Sequence, residues 1–276
     1  MAMFKIARLK TALALAICSF VVGSGGNAVA DLADAKARGK LIIATSGNLP
    51  PATFVDDKNE LDGYDISIAR EVGKRLGILI QFERIDSKGM LPGLQTGRFD
   101  AVVSNINVLE ERKAVFDFSV PYSRSAVVAI TRASAKDINS YKDLKDKVVG
   151  AITGGADGEI PARQISEKFG AFKDFKGYPG FSEMFQDLAI GRIDAAITPE
   201  HAAADFNRQR PGIVKITSEA YQLKFVAVAF QKGSPQLKAA FDETILDLRH
   251  NGTLDKLAEK YFGYKDYTKN IPEQVP

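Results

Sequence analysis

Apolar and polar positions along the chain fall into blocks with two different periods. Leu41 to Ala44 is a short, continuous apolar run behind a charged stretch, the pattern of a buried strand. From Ile66 to Leu76 the apolar residues fall at 66, 68, 69, 72 and 76, a helical spacing that Gly77 closes. Ile78 to Phe82 begins a second strand, Met90 to Leu94 reads as a helix leading to Gly97, and Ala101 to Val103 is another buried strand. Between the first strand and helix, Ser46 to Pro51 is a loop with Gly, Asn and two prolines. Near the C-terminus, Phe225 to Phe230 reads as one apolar strand. Ser234-Pro235 then opens a helix with Leu237, Ala240, Phe241, Ile245 and Leu248 on one side. Asn251-Gly252 ends it, and Leu254, Leu257, Ala258 and Phe262 mark a last short helix. Strands alternating with helices predict an α/β fold with largely parallel sheets.

One block occurs twice. LQTGRFDAVVS at residues 94–104 and LAIGRIDAAIT at 188–198 share Leu, Gly, Arg, Asp and Ala at the same offsets, five matches in eleven. Both read as a helix end, a glycine turn and a short buried strand. Similar turns are common in α/β units, but a match of this density 94 residues apart argues for two similarly built lobes. Each copy ends in a hydroxyl residue, Ser104 and Thr198, at the strand end where open α/β sheets bind ligands. Two such ends facing each other would form one cleft. No long Pro- or Ser-rich linker separates the lobes, so the chain is expected to cross between them more than once, giving a hinge.

The composition is globular: 45% hydrophobic, 26% charged, with one Cys, two His and no Trp in 276 residues. The formal net charge of +3 changes meaning once the charges are located. Residues 1–30 hold Lys5, Arg8 and Lys10 and no acid, then an apolar run from Ala12 to Val22, then Ala28-Val29-Ala30 before Asp31. A basic region, a short apolar core and an A-x-A site predict a secretory signal peptide cleaved after Ala30. The apolar run is well short of the roughly 18–20 residues that span a membrane. Cys18 follows Ile17, where a lipoprotein signal would have a small residue. Cleavage leaves 246 residues (276 minus 30) with 34 basic and 34 acidic side chains, since three of the 37 basic ones are removed. Nucleic-acid binding thereby loses its compositional support. The only Cys leaves too, so disulfides, a thiol nucleophile and a His/Cys metal cluster are all excluded from the mature chain. No cofactor is expected.

Several segments together resemble a known family. GYDISIA at 63–69 looks like the signature G-F/Y-D-x-D/E-hydrophobic of the family 3 solute-binding proteins, the polar amino-acid receptors of bacterial ABC importers. Ser67 departs from the usual acid. SNINVLEER at 104–112 matches S-x-M-T-x-T-x-E-R, FDFSVPY at 116–122 matches D-F-S-x-P-Y, and Asn251-Gly252-Thr253 through Lys260-Tyr261-Phe262 resembles the family's closing motif. The resemblance covers roughly residues 39–264. It implies a two-lobed periplasmic binding protein of type II, with a hinge and a ligand cleft between lobes that close like a trap. The expected division is 31–125 with 226–276 for lobe 1 and 126–225 for lobe 2.

The resemblance also implies a site. Arg112 aligns with the arginine that clamps the ligand's α-carboxylate, a task suited to a guanidinium fork that stays charged; by its own context it is one charge in the run Glu110 to Lys113. Ser104, Asn105 and Asn107 fall in the segment that helps hold the same carboxylate, with Asn107 replacing Ser or Thr. VGAITGGAD at 149–157 aligns with the family's V-G-V-x-x-G-T-T, where Ile152, Gly155 and Ala156 would present backbone groups to the ligand. Asp157 reads as a helix N-cap, and its charge would also disfavour an anionic ligand end nearby. The family's ammonium-binding Asp is replaced by Pro199. Either the adjacent Glu200 substitutes, or the ligand lacks an ammonium of the usual geometry. Ser46 and Leu49 occupy positions where receptors for basic amino acids carry an acid and an aromatic, and the aromatic often found near Ser87 is absent as well. A Lys or Arg ligand is therefore disfavoured, and a polar or opine-like amino-acid derivative is expected.

The leading expectation is a monomeric, non-enzymatic receptor in the periplasm, docking on a membrane permease of an ABC importer. The alternative is an exported enzyme on the same fold, similar to the cyclohexadienyl dehydratases, with Glu200 or Asp157 as acid/base. A sensory partner of a membrane receptor is a third reading.

Overall fold

A computed structural model describes residues 32–153, 158–263, 268 and 270–276. The expected signal peptide, and Gly155, Ala156 and Asp157, lie outside the described residues. The chain opens with α1 (Leu32–Arg38) and β1 (Lys40–Thr45), then a small antiparallel sheet of β2 (Asn48–Leu49), β3 (Thr53–Val55) and β4 (Leu61–Asp62). Helix α2 (Tyr64–Leu76), β5 (Leu79–Arg84), α3 (Ser87–Gln95), β6 (Ala101–Val102), α4 (Glu110–Lys113) and β7 (Phe116–Phe118) follow. A second set then begins: β8 (Ser123–Arg132), β9 (Val148–Ile152), α5 (Glu159–Phe169), β10 (Asp174–Tyr178), α6 (Phe181–Ala189), β11 (Ala195–Pro199), α7 (Glu200–Gln209), β12 (Val214–Ile216) and β13 (Tyr221–Val226). The chain closes with β14 (Ala229–Gln231), α8 (Pro235–His250) and α9 (Thr253–Phe262).

The strands sort into two larger sheets. The first has the order β5-β1-β6-β14-β7, with β1 parallel to β5 and β6, and β14 antiparallel to its neighbours. The second has the order β10-β9-β11-β8-β12, with β13 also paired to β8. Its β9, β10 and β11 are parallel and β8 runs against them. The mixed α/β class with two lobes thus follows from the pairing itself.

Helix α2 shows how the apolar pattern is used. Ile66, Ile68, Ala69 and Val72 are buried, the last three in the core on the first sheet, and Gly77 ends the helix in the left-handed conformation (φ 66°). Leu41 and Ile43 of β1 join the same core with Phe230, Phe241, Ile245 and Phe262 from the C-terminal segment. The returning chain therefore completes the lobe it left a hundred residues earlier. Burying each such side chain contributes about 2 kcal/mol.

Phe225 to Phe230 is not one strand. Its first half belongs to β13 in the second sheet and its second half to β14 in the first, with Ala227 and Val228 fully buried at the crossing. An apolar run carries no mark of where it changes sheets, since both sheets demand buried residues. The other crossing lies between β7 and β8, where Ser119 and Tyr122 donate backbone N–H bonds to Val228 and Val226. The two crossings run side by side and brace each other.

The repeated block has the same physical basis in both lobes. Gly97 and Gly191 take positive φ (74° and 81°) just after α3 and α6. Asp100 then accepts the Ile42 N–H at 2.8 Å, and Asp194 accepts the Val148 N–H at 2.9 Å. Each aspartate pins the start of its strand to the parallel neighbour; Asp100 also receives Arg38 in a two-pronged pair at 2.7 and 2.8 Å. Asp100→Ala and Asp194→Ala should each lower the unfolding free energy by about 2 kcal/mol, the worth of hydrogen bonds to a charged group, as read from urea denaturation. Wild-type denaturation midpoints for both would contradict this role.

Candidate ligand-binding site

Strands β1 and β6 lie side by side and parallel, so the chain leaves both at the same sheet edge. There Ser104 Oγ accepts the Ser46 backbone N–H at 3.1 Å and bonds the Ser46 hydroxyl at 3.1 Å. Both serines are nearly buried. Asn105 follows in the left-handed region (φ 51°), a conformation Asn tolerates better than most residues.

Asp65 holds that turn. Its Oδ2 accepts the Asn105 N–H at 2.5 Å, and the Tyr122 hydroxyl nearby also favours the ionised form. Burial pushes the Asp65 carboxyl up to about 7, against the pull of the Asn105 and Tyr122 hydrogen bonds. The preceding residues explain the rest of the GYD motif. At Gly63 (φ 133°) a Cβ would come 2.3 Å from the Ala52 carbonyl oxygen, so no side chain fits. Tyr64 is fully buried and donates to the Tyr122 carbonyl at 3.0 Å. The motif is a support for the Ser104–Asn105 turn. Ser67, where the family pattern has an acid, bonds the Tyr261 hydroxyl at 2.8 Å.

Beyond the turn, the chain is tied to the crossing segment. Asn107 bridges Val226, and Val108 donates to the Phe225 carbonyl at 2.8 Å. Arg112 stands half-buried on the short helix α4 and donates through Nη1 to the Asn107 carbonyl at 3.0 Å. Among the described residues no carboxylate pairs with it. The Asn107 Oδ1 is shielded from solvent and has no hydrogen-bond partner among the described residues. Ser46, Ser104, Asn105, Asn107 and Arg112 thus share one edge of the first lobe.

In the second lobe β9 and β11 pair in parallel through Ala195 to Ile197, so Ile152 and Glu200 leave the sheet at a common edge. Ile152 is partly exposed. Thr198 is wholly buried. Strand β11 runs on to Pro199, which encloses Thr198 inside the sheet against Val128. Glu200 begins α7 and is 4% exposed; its Oε1 accepts Arg124 Nη2 at 2.8 Å. Arg124 escaped the sequence reading because 76 residues separate it from Glu200 and no spacing links them. Sequence gave Asp65 only as a motif letter, without its role.

Leu49 lies elsewhere. With Asn48 and Pro50 it borders a cavity of about 300 Å³ whose other wall is formed by α6 and α7, including Phe181, Phe185, His201 and Phe206. Both lobes line this cavity, yet none of the other expected site residues does.

Two α/β lobes joined by paired crossings, each ending its parallel strands on polar groups, define a two-domain solute-binding protein. The chain belongs to the bacterial extracellular solute-binding proteins, family 3, whose pattern matches residues 41–264. It is 33% identical over 235 residues to the L-cystine-binding protein TcyJ of Escherichia coli K12, covering 85% of this chain and 86% of that one. The L-cystine solute receptor of Neisseria gonorrhoeae, in its unliganded open conformation, superposes with a TM-score of 0.74 at 28% identity over 83% of this chain and 94% of that one. An ancestral arginine-binding protein bound to arginine reaches a TM-score of 0.59 at 33% identity, covering 82% and 99%.

Two outcomes follow for stability. An unfolded aspartate ionises from about pH 4 upward, whereas native Asp65 keeps its proton to about 7. The native state therefore binds that proton more tightly. The contribution of Asp65 to stability is fullest at low pH, declines between about pH 4 and 7, and is level above that. Asp65→Asn should remove this decline, measured as urea midpoints across pH 4–8; an unchanged slope would contradict it. Separately, Glu200→Ala leaves Arg124 without its carboxylate and should cost about 3 kcal/mol, with Glu200→Gln costing less because an acceptor remains. Equal midpoints for the two variants would refute the ion-pair account.

Proposed function

We propose that this chain is the exported ligand receptor of an ABC importer for amino acids, released to the periplasm by cleavage after Ala30. It works as a monomer that delivers ligand to a membrane permease. The observation that carries this reading is Arg112: a half-buried guanidinium without a carboxylate partner, fixed beside the Ser46–Ser104 edge. Such a group is matched by a carboxylate, which it can hold in a two-pronged pair. Ser104, Ser46 and Asn105 supply further polar groups to the same ligand end, and Asn107 Oδ1 offers an acceptor.

By the family alignment the second lobe contributes Ile152, Gly155 and Ala156, together with Glu200 at the start of α7. Glu200, steadied by Arg124, takes the ligand's ammonium in place of an acid at position 199. Contacts from both lobes make the closed state bind more tightly than the open one, and this differential affinity drives closure. The better agreement with an unliganded open structure than with a ligand-bound one supports an open starting state. Lobe 1 comprises 31–125 and 226–276, lobe 2 comprises 126–225, and the two crossings act as the hinge.

The ligand we favour is a polar amino acid of the cystine type rather than Lys or Arg. The named L-cystine-binding relatives support it, and so does the absence of an acid at Ser46 and of an aromatic at Leu49. Because the family and these relatives are solute-binding proteins, binding is favoured over turnover. Arg112→Ala should weaken L-cystine binding at least about a hundredfold, the scale for losing one partner of a desolvated charge pair, in isothermal titration. The variant should melt with the wild type. Affinity preserved in Arg112→Ala would overturn the assignment.

A further inference from the structure

The first sheet ends on a second arginine that the motifs do not mention. Arg84 is the last residue of β5 and pairs in register with Thr45, and the next backbone bond runs from Ile85 N–H to the Thr45 carbonyl at 2.9 Å. Its side chain lies over Gly47: a Cβ there would sit 3.0 Å from Arg84 Nε and 3.6 Å from Cδ. The Arg84 side chain thus lies over the residue that follows Ser46, at the strand ends where open α/β sheets take ligands. A hollow of about 370 Å³ opens here, lined by Ser46, Asn48, Arg84, Ile85 and Asp86.

The charges around this hollow are unevenly matched. Glu83, the neighbouring acid, is paired with Arg98 at 3.4 Å. Asp86 caps α3, its Oδ1 accepting the Lys88 N–H at 2.9 Å. Among the described residues no carboxylate pairs with Arg84. An arginine without a counter-ion attracts an anionic group and repels a cationic one. Ser46 belongs both to this hollow and to the Ser46–Ser104 pair, so the hollow adjoins the edge assigned to the ligand's α-carboxylate.

Resting on the amino-acid receptor reading above, we propose that Arg84 forms a distal subsite that recognises a second carboxylate, and that the ligands are double-headed amino acids. The Asp86 carboxylate beside it receives the ammonium of the same distal head. Two arginines then divide the work: Arg112 holds one carboxylate and Arg84 the other. The same arrangement disfavours a ligand ending in an ammonium or guanidinium group alone.

The test is a titration of wild type, Arg84→Ala, Arg84→Gln and Arg112→Ala with L-cystine, which has two heads, S-methyl-L-cysteine, which has one, and L-lysine. Wild type should prefer L-cystine to S-methyl-L-cysteine by about tenfold or more and bind L-lysine weakest. Both Arg84 variants should lose about tenfold or more for L-cystine while S-methyl-L-cysteine changes by less than about threefold. Their melting temperatures should match wild type, since Arg84 is exposed. Equal effects on both ligands, or none on L-cystine, would overturn the distal subsite. Wild type that binds S-methyl-L-cysteine through Arg112 but ignores Arg84 would sink this inference alone. Wild type that binds no amino acid would sink the receptor reading itself.

Discussion

A buried carboxyl group fixes the geometry of the first lobe's strand-end turn. Asp65 is buried beneath the turn that carries Ser104 and Asn105, and its hydrogen bond to the Asn105 N–H sets that turn's unusual backbone. Burying an acid is costly unless its oxygens are satisfied. The lobe meets that condition only in part, through the Asn105 N–H on Oδ2, and burial holds the carboxyl near neutrality. Gly63 must lack a side chain for the acid to reach its place, and Tyr64 locks the helix start to the crossing at Tyr122. The sheet edge, the hinge and the turn are therefore coupled through three consecutive residues.

The same coupling explains what could be read in advance. Helix α2, the glycine turns and the buried strand starts are local: each is written in a window shorter than a dozen residues. The repeat was legible because one aspartate performs one task twice, tying the start of β6 or β11 to its parallel neighbour. The GYD and SNINVLEER segments were legible as motifs since each packs several structural tasks into adjacent positions. Of the residues expected at the site, Ser46, Ser104, Asn105, Asn107 and Arg112 share an edge for that reason.

What stayed hidden depends on contacts between distant segments. Nothing in FVAVAF tells which half pairs with which sheet; the split at Ala227-Val228 follows from β14 completing the first sheet between β6 and β7. The Arg124–Glu200 pair joins the first strand after one crossing to the first residue of α7. A reader of sequence sees an acid beside Pro199 and assigns it a free charge. In the fold that charge is already engaged, which makes Glu200 a fixed acceptor and ties the second lobe's edge to the hinge.

Charge placement then gives the cleft its logic. Residues 31–276 are balanced in charge, with 34 basic and 34 acidic side chains, yet these charges are not evenly answered. On the second lobe the acid has its arginine; on the first, Arg112 rests on a carbonyl. A carbonyl neutralises part of a dipole but not a full charge, so a guanidinium held this way retains most of its field. The first lobe's edge therefore carries a guanidinium that no carboxylate among the described residues answers, and the second lobe's edge a carboxylate already held. On the receptor reading proposed above, a zwitterion brings its carboxylate to Arg112 and its ammonium to the held Glu200, so that one ligand spans the two lobes. On that same reading closure and ligand choice are one electrostatic condition, because the molecule that answers both edges favours the closed state.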